Sequence, residues 1–156
     1  VMFLHGRLSA TVRRILLPFA ENVHTALALE YAPALVSYFG AELHVVVVHD
    51  PDLTEADRAS RAAEVEARVR QTCQSITLRT VLHDDVVAGV VQASTGFDLV
   101  LMGGRTGSFW EMLFAGSITQ SITQRVACRV VWVEEYEEGA SMLARLLKQS
   151  EPHKVA

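Results

Sequence analysis

Two rhythms alternate along this chain. Short apolar runs stand at 14–19 (RILLPF), 43–49 (LHVVVVH), 75–82 (SITLRTVL), 98–103 (DLVLMG) and 129–133 (RVVWV). Between them lie stretches whose apolar residues recur at helical spacing. Strands alternating with helices predict βαβ units and a parallel sheet covered on both faces, an open doubly wound α/β fold with five strands. The four consecutive valines at 45–48 suit a central strand. The run at 75–82 has apolar residues on one face only, at Ile76, Leu78 and Thr80, and is predicted near a sheet edge. Pro18 ends the first run, where the chain is expected to leave the sheet.

The helices carry boundary signals. Over 23–39 the apolar positions Leu27, Tyr31, Ala34, Leu35 and Tyr38 predict a helix, with Asn22 as N-cap, Gly40 as stop, and a kink or break at the internal Pro33. Thr54 and Asp57 resemble a capping box opening a helix that runs to about Gln74 and faces solvent. Asp84 and Asp85 suit a helix N-terminus, followed by the stripe Val86, Val87, Val90 and Val91 and by Gly96 as its end. A fourth helix is predicted over 117–127. Past the last strand, Glu134, Glu135, Glu137 and Glu138 form an acidic run, and Met142, Leu143, Leu146 and Leu147 predict a short amphipathic helix that folds back on the body or docks on a partner. The expected organisation is an N-terminal extension over 1–12, one domain over 13–134, and a linker with a short helix over 135–156.

Length and composition narrow the class. A chain of 156 residues, half of them hydrophobic, fits one domain with a sizeable core. Its apolar runs fall far below the roughly 20 residues that span a bilayer, so no direct membrane insertion is expected. Residues 1–10 lack the layout of a signal peptide, which predicts a cytoplasmic setting. A first residue of Val rather than Met suits a segment of something longer. Cys73 and Cys128 lie far apart without a zinc spacing, so buried or half-buried free thiols are expected and no metal ligand set is identified. A net charge of -4 gives no basic footprint for nucleic acid.

The chemistry concentrates after the fourth run. Met102, Gly103, Gly104, Arg105, Thr106, Gly107 and Ser108 precede Phe109 and Trp110, and Gly116, Ser117, Ile118 and Thr119 open the next helix. Glycines let a backbone approach a phosphate, and helix N-terminal N–H groups offer it hydrogen bonds and partial positive charge. The same glycines also serve as plain turn residues, with Ser117 as a cap. His24, His44, His49 and His83 have no nucleophile or carboxylate partner in a recognisable motif, His49 and Asp50 are expected to be structural, and Walker, GxGxxG and GxSxG patterns are missing, so no enzyme is expected.

On these residues the chain resembles the universal stress protein family. That family's loop has a glycine, two residues, a glycine, nine residues and Gly-Ser after a strand of the DLIVMG type; here DLVLMG ends at Gly103, Thr106 replaces the second glycine with Gly107 beside it, and Gly116-Ser117 follows at the matching distance. RILLPF, AELHVVVVHDP and RVACRVVWV are similar to the family's first, second and last strands, with Cys128-Arg129 where Cys-Pro is usual. The resemblance implies a Rossmann-like sheet of the adenine nucleotide alpha hydrolase type with strand order 3-2-1-4-5. It implies an ATP or AMP site with Pro18, Ala20 and Val48 around the adenine, and Gly103, Thr106, Gly107, Gly116, Ser117 and Ile118 around ribose and phosphates. Where nucleotide-binding members carry an aspartate two residues after the first-strand proline, this chain has Ala20, with Glu21 one position late.

The resemblance also implies a homodimer through the last strand, around Arg129, Val131 and Val133 with Trp132 in the interface, since a bare RVVWV edge invites pairing. Three other readings stand beside it: a dimerisation or signalling module that binds no nucleotide, the cytoplasmic regulatory domain of a membrane transporter, and, as the enzyme-class alternative, a slow nucleotide hydrolase.

Overall fold

The computed structural model describes residues 2–5, 11–20, 23–104 and 118–134. In chain order the elements are β1 (Met2–His5), β2 (Arg14–Pro18), α1 (Val23–Phe39), β3 (Glu42–His49), α2 (Glu55–Arg70), β4 (Thr77–Leu82), α3 (Val86–Ala93), β5 (Leu99–Gly104), α4 (Ile118–Arg125) and β6 (Arg129–Glu134). They form one sheet in the order β1-β6-β5-β2-β3-β4. The strands β2 to β6 are all parallel and, counted from β2, follow the expected order 3-2-1-4-5. The sheet differs from expectation at one edge. The N-terminal extension supplies a sixth strand, β1, antiparallel to β6 with Met2 opposite Val133 and His5 opposite Val130. That edge of β6, assigned from sequence to a second copy of the chain, carries β1 of the same chain.

The period of two along each strand sorts the core into two layers. Ile15, Leu17, Val45, Leu99, Leu101 and Val131 pack with α1 and α2, while Leu16, Val46, Val100, Met102 and Val130 pack with α3 and α4 through Val90 and Ile122. The central strands therefore expose neither face, which is why they read as continuous apolar runs. β4 is an edge strand, as predicted, with Leu78 and Val81 half-buried and Thr80 exposed, so Thr80 is not part of its apolar face.

The helices use their caps as the sequence suggests, but α1 turns a different face inward. Thr25, Ala28, Leu29 and Ala32 are its buried positions, whereas Tyr31 and Tyr38 are 39% and 81% exposed. Alanine at 28 and 32 lets the helix lie close on the sheet, a place a tyrosine ring would not fit. α1 continues through Pro33 to Phe39 and ends in a Schellman turn: Gly40 sits at φ 62° and the Ala41 N–H reaches back to the Val36 carbonyl at 3.1 Å. Thr54 caps α2 by accepting the Asp57 N–H at 3.2 Å, and its hydroxyl donates to the Asp57 carboxylate at 2.7 Å. The shorter acid thus binds the cap side chain. Asp85 caps α3 through Oδ1, which accepts the N–H groups of Val87 and Ala88. The predicted cap Asn22, the loop over 105–117 and the acidic and amphipathic tail over 135–156 lie outside the described residues.

Candidate nucleotide cleft

Pro18 decides where the sheet opens. It stands opposite Val46 of β3, and the next N–H, of Phe19, donates to the Val46 carbonyl at 2.8 Å. Successive N–H groups of a strand point to opposite sides, so the donor that Pro18 lacks is the one that would face β5. The pairing of β2 with β5 accordingly consists of Ile15–Leu99 and Leu16–Val100 and stops before Pro18, while its pairing with β3 runs from Arg14 to Pro18. At their carboxyl ends β2 and β5 are no longer paired. This is also where strand order reverses, with β3 following β2 on one side and β5 lying on the other.

The residues expected around an adenine frame that unpaired end. Ala20 is exposed just beyond β2, and its N–H donates to Oγ1 of the buried Thr25 at 3.2 Å, which fixes the turn into α1. Its methyl offers no acceptor. Val48, half-buried near the end of β3, is held by a residue the sequence reading passed over. A Cβ placed on Gly89 of α3 would lie 2.7 and 3.0 Å from the two Val48 methyl carbons and 3.2 Å from His83 Cβ. Glycine at 89 therefore lets α3 sit directly on Val48; a lone glycine inside a valine-rich helix was the available signal.

Gly103, half-buried near the end of β5, pairs with Val133 of β6. Because β5 and β6 are parallel, α4 between them runs down the sheet and begins, at Ile118, at the same carboxyl end. Its first N–H groups have no partner within the helix and carry partial positive charge. Thr106, Gly107, Gly116 and Ser117, with Glu21, Phe109 and Trp110, lie outside the described residues. The structure thus brings together Pro18, Ala20, Val48, Gly103 and the start of α4 at one end of three neighbouring strands.

Charge around this end is uneven. Asp50, Asp52, Asp84 and Asp85 are exposed beyond β3 and β4; Asp50 accepts the Asp52 N–H at 2.9 Å and His83 Nδ1 accepts the Asp85 N–H at 2.9 Å. Arg58 and Arg61 stand on the same side, close enough to act on His49, so the charge there is mixed. His49 closes β3 and is 2% exposed. Its Nε2 is buried without a hydrogen-bond partner among the described residues, and burial, with Arg61 and Arg58 adding, lowers its pKa from 6.5. It behaves as a core residue.

At the opposite end of the sheet Asp98 ties β2 to the start of β5. Asp98 Oδ2 accepts the N–H groups of Arg13 and Arg14, both at 2.9 Å, and these two bonds hold its carboxyl below the ordinary 3.8. The Asp98 N–H donates to the Arg14 carbonyl at 3.1 Å. A concavity of about 830 Å³ opens there, lined by Ser94, Asp98, Gln124 and Arg129 among others; it is formed by the turns before β5 and β6 and lies away from the unpaired ends of β2 and β5. Cys73 is buried and Cys128 half-buried, both free, and burial raises both thiols. Among the described residues no group of three or more His, Cys, Asp or Glu is placed to hold a metal ion, and no helix is long and apolar enough to cross a membrane.

The sequence model of the universal stress protein family matches residues 11–134. The chain belongs to that family. The matched region begins just before β2 and ends with β6, so β1 lies outside it. Solved universal stress proteins share the fold. One, in complex with cAMP, has a TM-score of 0.62 at 16% identity, covering 79% of this chain and 97% of that chain. A second, from Archaeoglobus fulgidus DSM 4304, has a TM-score of 0.61 at 20% identity, covering 89% of this chain and 51% of that chain. UspA from Lactobacillus plantarum has a TM-score of 0.58 at 18% identity, covering 80% of this chain and 99% of that chain. No curated protein matches the chain.

Proposed function

We propose that this universal stress protein is a regulatory module that takes an adenine nucleotide, ATP or AMP, in the cleft between β2 and β5. The observation that carries the reading is the end of β2–β5 pairing at Leu16–Val100, at the point where strand order reverses. Pro18, Ala20 and Val48 would line the adenine, and Gly103, Thr106, Gly107, Gly116, Ser117 and Ile118 the ribose and phosphates, met mainly by backbone N–H groups. The cAMP complex of a solved family member supports a nucleotide as the ligand class. The proposed role is binding and signalling.

One observation favours a second reading, a module that signals or assembles without nucleotide. Ala20 is exposed at the mouth of the cleft with no side-chain acceptor, and a charge-assisted hydrogen bond missing there weakens binding by about 1.5–3 kcal/mol, roughly 10–100-fold. Titration calorimetry with ATP, ADP, AMP and cyclic AMP separates the two. Binding in the wild type, lost in Gly116→Trp and strengthened roughly 10–100-fold in Ala20→Asp, is the expected result. No heat and no thermal shift in either the wild type or Ala20→Asp would leave the second reading standing.

A further inference from the structure

We infer that β1 is a built-in blocker of self-association: it occupies the β6 edge in place of a second copy of this chain, and releasing it converts a monomer into a dimer joined β6 to β6. The inference is independent of the nucleotide reading, since β6 is separated from β2 by β5.

Direction is the first argument. Five strands of the sheet are parallel, and β1 alone runs the other way. A second copy placed beside β6 by a two-fold axis normal to the sheet would present its own β6 antiparallel to the first, as every isologous strand pair must. β1 therefore uses the same row of β6 N–H and C=O groups, in the same orientation, that such a copy would use, and the two cannot be seated together.

The second argument is what the edge would be without β1. Residues 130–133 read VVWV, with Val130, Val131 and Val133 buried. An unpaired, uncharged, β-branched edge of this kind is a template for another chain. At the far edge of the same sheet, β4 is left unpaired, but it is polar outward, with Thr77, Arg79 and Thr80 exposed. The protein thus manages its two edges differently, one by polarity and one by a cover.

Tethering then decides which partner wins. The sequence between His5 and Arg14 is eight residues. It bridges three interstrand steps, about 14 Å at the usual spacing, against a reach of roughly 26–29 Å for eight extended residues. A strand tied that closely competes at an effective concentration on the order of millimolar, well above the micromolar concentration of a second copy. β1 lies outside the family-matched region, which holds all of β2 to β6.

The test is the full chain carrying Phe3→Pro and Leu4→Pro together. Adjacent N–H groups point to opposite sides, so one of the two prolines removes a donor to β6. Light-scattering mass at micromolar concentration is expected to give 17.2 kDa for the wild type and twice that for the variant. Amide exchange at residues 130–133 should be slow in both, and fast in the variant once dilution separates the copies. Circular dichroism and the melting temperature verify that the variant is folded. A wild type that is already dimeric, or a folded variant that stays monomeric with fast exchange at 130–133, overturns the inference. Nucleotide titration of the same variant keeps the two proposals apart, because binding is expected to be unchanged by loss of β1.

Discussion

At the scale of single residues, the informative positions are those where chemistry and packing disagree. His49 has an ionisable ring in an apolar place, with its pKa held below 6.5 by burial and by Arg61 and Arg58. The unfolded chain therefore takes up the proton first as pH falls, and folding stability present above pH 6.5 is lost as the pH drops through the lowered folded value. Urea midpoints should decline from neutral pH toward about pH 5, and His49→Leu should flatten that decline. Asp98 works in the acid range: its folded pKa lies below 3.8, so its contribution is present above that value and lost as pH falls through the lowered one. Asp98→Ala removes the acceptor of two backbone N–H groups and is expected to cost about 1–3 kcal/mol, read as a shift in denaturant midpoint.

Among elements, contact between α3 and β3 links fold to cleft. Gly89→Ala would drive a methyl against Val48 and His83, costing about 1–3 kcal/mol by overpacking. The same push displaces Val48, which the proposed function sets beside the adenine, so on that proposal calorimetry should show weaker nucleotide binding with the fold retained. Elements were legible in the sequence to different degrees, and the reasons are physical. Strands β2, β3, β5 and β6 stood out because burial on both faces makes them continuously apolar. The caps Thr54 and Asp85 stood out because hydroxyl and carboxylate acceptors suit free helix N–H groups. The inward face of α1 did not, because Leu27, Ala28, Leu29, Tyr31 and Ala32 make several sides of the helix apolar, and only the tight fit against the sheet chooses Ala28 and Ala32. Four residues of β1 are too few for any periodicity. Of the cleft, Pro18 was visible as a strand end, but its effect on the β5 ladder depends on which way the missing N–H points, and that needs the pairing.

For the whole molecule, the central strands belong to both cores. Leu16 points to α3 and α4, and Leu17 to α1 and α2, from neighbouring positions of β2. Two layers sharing one sheet should unfold together. Leu16→Ala and Leu17→Ala are each expected to destabilise by about 2–5 kcal/mol. The near-ultraviolet and far-ultraviolet transitions should stay coincident in both variants; separate transitions would mean that the layers unfold independently.

The seam between β2 and β5 gives the sheet a mechanical character. One leaf holds β2, β3 and β4, the other β5, β6 and β1, and between them run two residue pairs with the Asp98 clasp at the lower end. Across that seam the leaves are joined less by strand pairing than by the core that α1 packs against both of them. A molecule seated between the upper ends would therefore bear on a join made mainly of side-chain packing, with the backbone bonds of the Asp98 clasp at the far end.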